Sequence, residues 1–220
     1  LFSGHYQYDR AEYNAKMNTL CQEAKHQGIN LELLPGFEIF LQNGIEEDVV
    51  KHNLCLGDSS YILVETELNG LPSDFYENIF KLLRKGYKPI LAHAERYVSL
   101  MNRPAKVEAL IERDIYIQVN SGSLLGQYGN NVMNTAWDLV EHGYVHFLGS
   151  DDHVRSDYSS FFQARQSIED SYDSYTADLL TLKNGTSVLN NKKVEYKYLL
   201  KREPRHHKQK KKSLLARIFG

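Results

Sequence analysis

The chain has 220 residues, 42% hydrophobic and 25% charged, with 26 Lys and Arg against 28 Asp and Glu. That is enough chain for one substantial α/β domain. Its net charge of -2 gives no bulk-charge basis for binding nucleic acid, and no apolar run approaches the roughly 20 residues of a membrane-spanning helix. Two cysteines without CxxC spacing, Cys21 and Cys55, fit a reduced cytoplasmic protein, with Cys55 a small core residue.

Leu1-Phe2 reads as the end of a buried strand, with neither an initiator Met nor a signal-peptide pattern. The sequence is therefore expected to be the C-terminal part of a longer protein. Residues 10–27 carry good helix formers and stop at Gly28, a residue suited to a helix C-terminus. A strand follows at 30–34, a short helix at 45–51 and a strand at 61–67. Ser73 is placed to cap a helix over 74–84, which Gly86 closes. Then come a strand at 89–92, a helix at 104–113 with Pro104 in its first turn, and a strand at 115–120. A helix at 130–141 is closed by Gly143, a strand runs over 144–149, and helices cover 159–172 and 175–183. Strands alternating with glycine-closed helices predict parallel βα units. The composition shifts near Leu200, giving a domain over residues 1–200 and a basic tail over 201–220.

Several apolar runs lead toward a ligand-type residue. Leu31–Leu34 leads through Pro35-Gly36 to Glu38, Tyr61–Val64 to Glu65, Pro89–Leu91 to His93, and Tyr144–Leu148 to Asp151 and His153. Each residue alone is unremarkable, but strand ends that all present carboxylates or imidazoles predict a barrel mouth holding metal. Glu65 follows its strand without a turn, so its partly buried charge needs a counter-charge. Mixed imidazole and carboxylate donors suit Mn, Fe or Zn, and such cations activate water and clamp phosphoryl oxygens. Arg96 and Arg155 are the candidate catalytic cations, able to bind phosphate through a planar fork. His5, after Leu1-Phe2, is a further candidate ligand, while His146 lies within a strand and reads as structural. Ser121-Gly122-Ser123 is either an anion-binding turn or an ordinary βα loop.

Leu34-Pro35-Gly36-Phe37-Glu38, Ala92-His93-Ala94-Glu95-Arg96, Ser121-Gly122-Ser123-Leu124-Leu125-Gly126 and Gly149-Ser150-Asp151-Asp152-His153 together resemble the blocks of polymerase-and-histidinol-phosphatase (PHP) domains. They are most similar to the manganese-dependent protein-tyrosine phosphatases of capsule and exopolysaccharide loci. The resemblance runs from about Phe2 to about Asn190. It implies a distorted (β/α)₇ barrel, a divalent metal cluster held by His5, Glu38, Glu65, His93, Asp151 and His153, and a tyrosine-phosphorylated bacterial autokinase as partner. Two blocks depart from the family pattern, with Ser3-Gly4-His5 for Thr-Pro-His and Ala94 for the proline of His-Pro-Glu-Arg. The family's Asp-x-His-x-His block is absent and would precede Leu1, so the barrel is expected to be N-terminally incomplete here and these residues alone to bind metal weakly.

The alternatives are another phosphoesterase on the same barrel, of histidinol-phosphate type, and a non-catalytic kinase- or membrane-binding assembly protein. The tail bears on the last. Lys208, Lys210, Lys211 and Lys212 stand beside Leu214, Leu215, Ile218 and Phe219, a pattern suited to peripheral attachment at an anionic membrane surface. No nucleic-acid partner is expected.

Overall fold

Among the described residues, five short strands carry the architecture: β1 Glu38–Phe40, β2 Tyr61–Glu65, β3 Lys88–Leu91, β4 Tyr116–Asn120 and β5 Phe147–Gly149. They form one parallel sheet in chain order β1-β2-β3-β4-β5. The computed structural model describes residues 9–101, 103–153 and 158–194. His5, Arg155 and the tail over 201–220 therefore lie outside the described residues.

Side chains alternate across a strand, and the register aligns the alternation across all five. Ile39, Ile62, Val64, Leu91, Ile117, Val119 and Leu148 belong to the larger core. That face meets helices α2 Ile45–His52, α3 Phe75–Arg84, α4 Pro104–Ile111 and α6 Asn130–Glu141. In α3 the buried residues Phe75, Asn78, Ile79 and Leu82 recur at helical spacing, so one stripe docks and the rest faces water. Each fully buried Leu, Ile or Phe contributes roughly 1.5–3 kcal/mol. The opposite face carries Tyr61, Ile90, Tyr116 and Phe147, which cluster with Val188 and Val194. Further along the strands the same face turns polar. Glu38 is in register with Leu63, Phe40 with Glu65, Gln118 with Phe147 and Asn120 with Gly149.

The other α-helices among the described residues are α1 Arg10–His26, the short α5 Ser121–Leu124, α7 Ser159–Ser171, α8 Ser174–Asp178 and α9 Asn184–Leu189. Helix α1 has no buried residue. It touches the body through the Tyr13 ring against Phe37, centroids 4.7 Å apart, and through Arg10 Nη1 donating to the His52 carbonyl.

The predicted helix-closing glycines behave as expected: Gly28, Gly86 and Gly143 all have positive φ, which glycine adopts without strain. Four expectations need correction. Residues 30–34 form no strand; Leu31 and Leu34 are exposed, and pairing with β2 begins only past Pro35-Gly36, at Glu38. Glu38 thus opens a strand rather than following one. The strand expected over 144–149 is confined to Phe147–Gly149, although the His146 N–H already donates to the Ile117 carbonyl. Asp74, not Ser73, stands at the N-cap of α3, without a side-chain capping bond. The helix expected over 175–183 passes from α8 into a π-helical turn, Leu179–Lys183.

Candidate metal centre

His93 sits just past β3 in a left-handed conformation, φ 35°. That backbone turns its imidazole back over the polar end of the sheet. Its Nε2 lies 3.2 Å from Glu38 Oε1 and 3.3 Å from Glu65 Oε2. Burial pulls the imidazole's pKa down, but hydrogen bonds to Glu38 and Glu65 outweigh it and lift the value to about 9. Two carboxylates around one buried imidazole leave net negative charge, which a proton or a divalent cation can neutralise.

Asp151 approaches from the far edge of the sheet. Its Oδ1 is 2.7 Å from His153 Nε2, and its Oδ2 is 3.3 Å from Arg96 Nη1. Two groups of metal-type donors result, Glu38–Glu65–His93 and Glu38–Asp151–His153, each with ligand atoms within 4.8 Å of one another. Glu38 belongs to both. Bonds of about 2.1 Å to a first-row cation place neighbouring donors roughly 3.0–3.4 Å apart, so the His93–carboxylate spacings match a coordination polyhedron. The donor set of imidazoles and carboxylates fits Mn, Fe or Zn.

Backbone strain concentrates here. His93, Asp151 and His153 are three of the seven described non-glycine residues with positive φ. Such residues cost on the order of 1–3 kcal/mol each and persist where surrounding contacts hold them, often at functional sites. A cavity of about 440 Å³ opens beside Glu38, His93 and Asp151, with Leu63, Ile90 and Phe147 among its walls.

The geometry brings together five of the six expected ligands, Glu38, Glu65, His93, Asp151 and His153, and adds Arg96 beside Asp151. It also shows what Ser121-Gly122-Ser123 does. Ser123 Oγ and the Asn120 N–H both donate to Glu95 Oε1, and Ser121 Oγ pairs with Ser160 Oγ at 3.1 Å. Both hydroxyls are buried and engaged within the protein. Burial raises the Glu95 carboxyl pKa, opposed by the bonds from Ser123 and Asn120. Beyond α5, Tyr128 places its ring 4.8 Å from the Arg96 guanidinium carbon, a cation–π contact that orients the fork. Gly122 makes room for this loop, since a Cβ there would collide with Gln127 and crowd Tyr128.

Three contributors escape the motif reading: Gln118, Asn120 and Tyr128. The two amides stand at i and i+2 in Tyr116–Asn120, on the face where the ligands stand. That alternation is visible in sequence, whereas Tyr128 carries no comparable signal.

A family profile described as "Capsular polysaccharide synthesis, CpsB/CapC" matches residues 2–190. The chain belongs to the CpsB/CapC family. Among its curated relatives is "Tyrosine-protein phosphatase YwqE" of Bacillus subtilis, 32% identical over 152 residues, covering 69% of this chain and 60% of that protein. "Putative tyrosine-protein phosphatase CapC" of Staphylococcus aureus is 29% identical over 86% of this chain and 74% of its own length. A solved structure from the study "Crystal structures of YwqE from Bacillus subtilis and CpsB from Streptococcus pneumoniae, unique metal-dependent tyrosine phosphatases" superposes with a TM-score of 0.79 at 28% identity. It covers 88% of this chain and 78% of that one. This CpsB/CapC chain thus shares its α/β architecture with enzymes described as metal-dependent.

Proposed function

We propose that this CpsB/CapC protein is a metal-dependent protein-tyrosine phosphatase acting on a tyrosine-phosphorylated autokinase that controls capsule or exopolysaccharide synthesis. The observation that carries the reading is the pair of donor triads sharing Glu38. Glu38, Glu65, His93, Asp151 and His153 hold the cations, with His5 as a further ligand and Mn²⁺ the preferred ion over Fe or Zn. When bound, such cations activate water and neutralise phosphoryl oxygens.

The chain's own groups supply the rest. Arg96, oriented by Tyr128 and held near the site by Asp151, offers its fork to a phosphoryl group. Arg155 is the second cation proposed for that task. The cysteines stay out of the chemistry: Cys55 is buried within the larger core, where burial raises its thiol pKa, and a thiol is a poor nucleophile. The (β/α)₇ barrel is the proposed closed form of the sheet. The protein is placed in the cytoplasm, with the tail over 201–220 attaching it to the anionic inner face of the membrane. No described helix is long and apolar enough to cross one.

The test is hydrolysis by the full-length protein of a phosphotyrosine peptide and of histidinol phosphate, with Mn²⁺ and with a chelator. Metal-dependent turnover of the peptide, with little on histidinol phosphate, is expected. Preference for histidinol phosphate would move the protein to the other branch of this barrel. Binding of the kinase without stoichiometric metal or turnover would make it an assembly protein.

A further inference from the structure

Two buried amide side chains join the two donor triads. The His93 backbone N–H donates to Gln118 Oε1 at 2.7 Å, Gln118 Nε2 donates to Asn120 Oδ1 at 2.8 Å, and Asn120 Nδ2 donates to Asp151 Oδ2 at 2.6 Å. Gln118 is 8% exposed and Asn120 fully buried. The direction of the chain is set at both ends. A backbone N–H can only donate, and an ionised carboxylate can only accept. Asn120 must therefore turn its NH₂ to Asp151 and its oxygen to Gln118, which leaves Gln118 to turn its own oxygen to His93. Each amide has one arrangement that satisfies both neighbours, and reversing one breaks bonds on both sides.

The residues at the two ends, His93 and Asp151, have left-handed backbones, φ 35° and 48°. The sheet makes room for the connection. Gly149 stands in register with Asn120, and a Cβ on it would lie 2.6 Å from Gln118 Nε2. Gly149 is not at positive φ, so its bare backbone is explained by this close approach and not by turn geometry.

We infer that Gln118 and Asn120 are positioning residues that lock His93 and Asp151 into one geometry, so that the two triads are assembled as a unit. Neither amide belongs to a triad; both act through the residues they hold. The inference rests on the metal reading above. Partners of this kind that orient ligands are typically worth about 10–100-fold in metal affinity.

The experiment compares the full-length protein with Gln118→Met, Asn120→Leu, the double variant and Gly149→Ala. The first two keep approximate side-chain volume, and Gly149→Ala displaces Gln118 without altering any ligand or amide. Folding is checked by circular dichroism in chelator. Mn²⁺ affinity is measured by calorimetry, and the site is probed by the visible absorption of bound Co²⁺. Each single variant should lose about 10–100-fold in Mn²⁺ affinity and show a shifted Co²⁺ band. The double variant should be little worse than the weaker single, because one continuous connection is broken only once.

Hydrogen exchange at the His93 amide in metal-free protein provides a readout independent of the metal. It should quicken at least tenfold in Gln118→Met and Gly149→Ala, and measurably in Asn120→Leu. Wild-type affinity and an unchanged Co²⁺ band in folded variants would overturn the inference, as would fully additive losses. If the wild-type protein takes up no metal, the phosphatase reading fails. The His93 exchange rate then decides the amide connection alone: unchanged in all variants, it overturns it.

Discussion

His93 and His146 are both buried, yet their surroundings drive them in opposite directions. His93 faces two carboxylates at the polar end of the sheet, and its pKa rises to about 9. His146 is enclosed near β5, where Asn184 Nδ2 donates to its carbonyl and its Nδ1 accepts the Ile117 N–H. Burial lowers its pKa to about 3, against the bond from Ile117. The same side chain, equally hidden from water, is held charged in one region and neutral in the other. Burial alone does not mark a functional histidine; the charge of its neighbours does.

The largest effect expected from this contrast is on catalysis. In the full-length, metal-loaded protein, His93→Gln should lower kcat/KM on a phosphotyrosine peptide by about 10³-fold or more, equivalent to about 4 kcal/mol. His146→Gln should change it far less in protein that remains folded. Comparable losses in both variants would erase the distinction.

Stability against pH is the next. The folded His146 pKa lies below the unfolded value near 6.5. Its contribution is present above pH 6.5 and is lost as pH falls toward about 3, at about 1.4 kcal/mol per pH unit. The folded His93 pKa lies above the same unfolded value. In metal-free protein its contribution is complete below pH 6.5 and is lost as pH rises through about 9, on the order of 3 kcal/mol in all. Urea unfolding in chelator should therefore show an acid slope reduced in His146→Gln and an alkaline slope reduced in His93→Gln. Added Mn²⁺ should flatten the alkaline slope, because the cation replaces the proton.

A smaller effect is expected at Arg96. Arg96→Lys keeps the charge but gives up the planar fork and its stacking on Tyr128, so kcat/KM should fall roughly tenfold with Mn²⁺ affinity little changed. An equal loss of metal binding would make Arg96 a support for Asp151 instead of a phosphate ligand. The smallest catalytic effect is expected at Cys55. Cys55→Ser places a hydroxyl in the larger core and should lower stability by roughly 1–3 kcal/mol, while kcat/KM in folded protein stays near wild type. Lost turnover there would reopen thiol chemistry.

Strands followed directly by their candidate ligands are legible. Tyr61–Glu65 reads straight into its carboxylate, and the runs before His93 and Asp151 end close to the observed strands. The strand expected before Glu38 is absent because Leu31–Leu34 has the apolar character of a strand without a partner to pair with among the described residues. What decides pairing is register with β2, a long-range property that composition does not carry. The amides of β4 were visible as an alternation, but an amide's role depends on which groups flank it in space. Tyr128 reaches Arg96 only through the path of the loop after α5, which no spacing rule describes. His146 reads as structural from a place within the expected strand; the strand begins one residue later, at Phe147, and the buried hydrogen bonds of His146 agree with the structural role.

Glu38 belongs to both donor triads, and that has a consequence for titrations. Two sites that share a carboxylate cannot fill independently. A first ion held there would fix Glu38 and draw off part of its charge, so a second would meet a better ordered but less negative site. Ordering favours cooperative uptake and the lost charge opposes it, and whichever dominates acts equally in both directions. A binding isotherm for this centre should therefore depart from two independent sites. Glu38→Gln should weaken both events together, whereas Glu65→Gln or His153→Asn should weaken one more than the other.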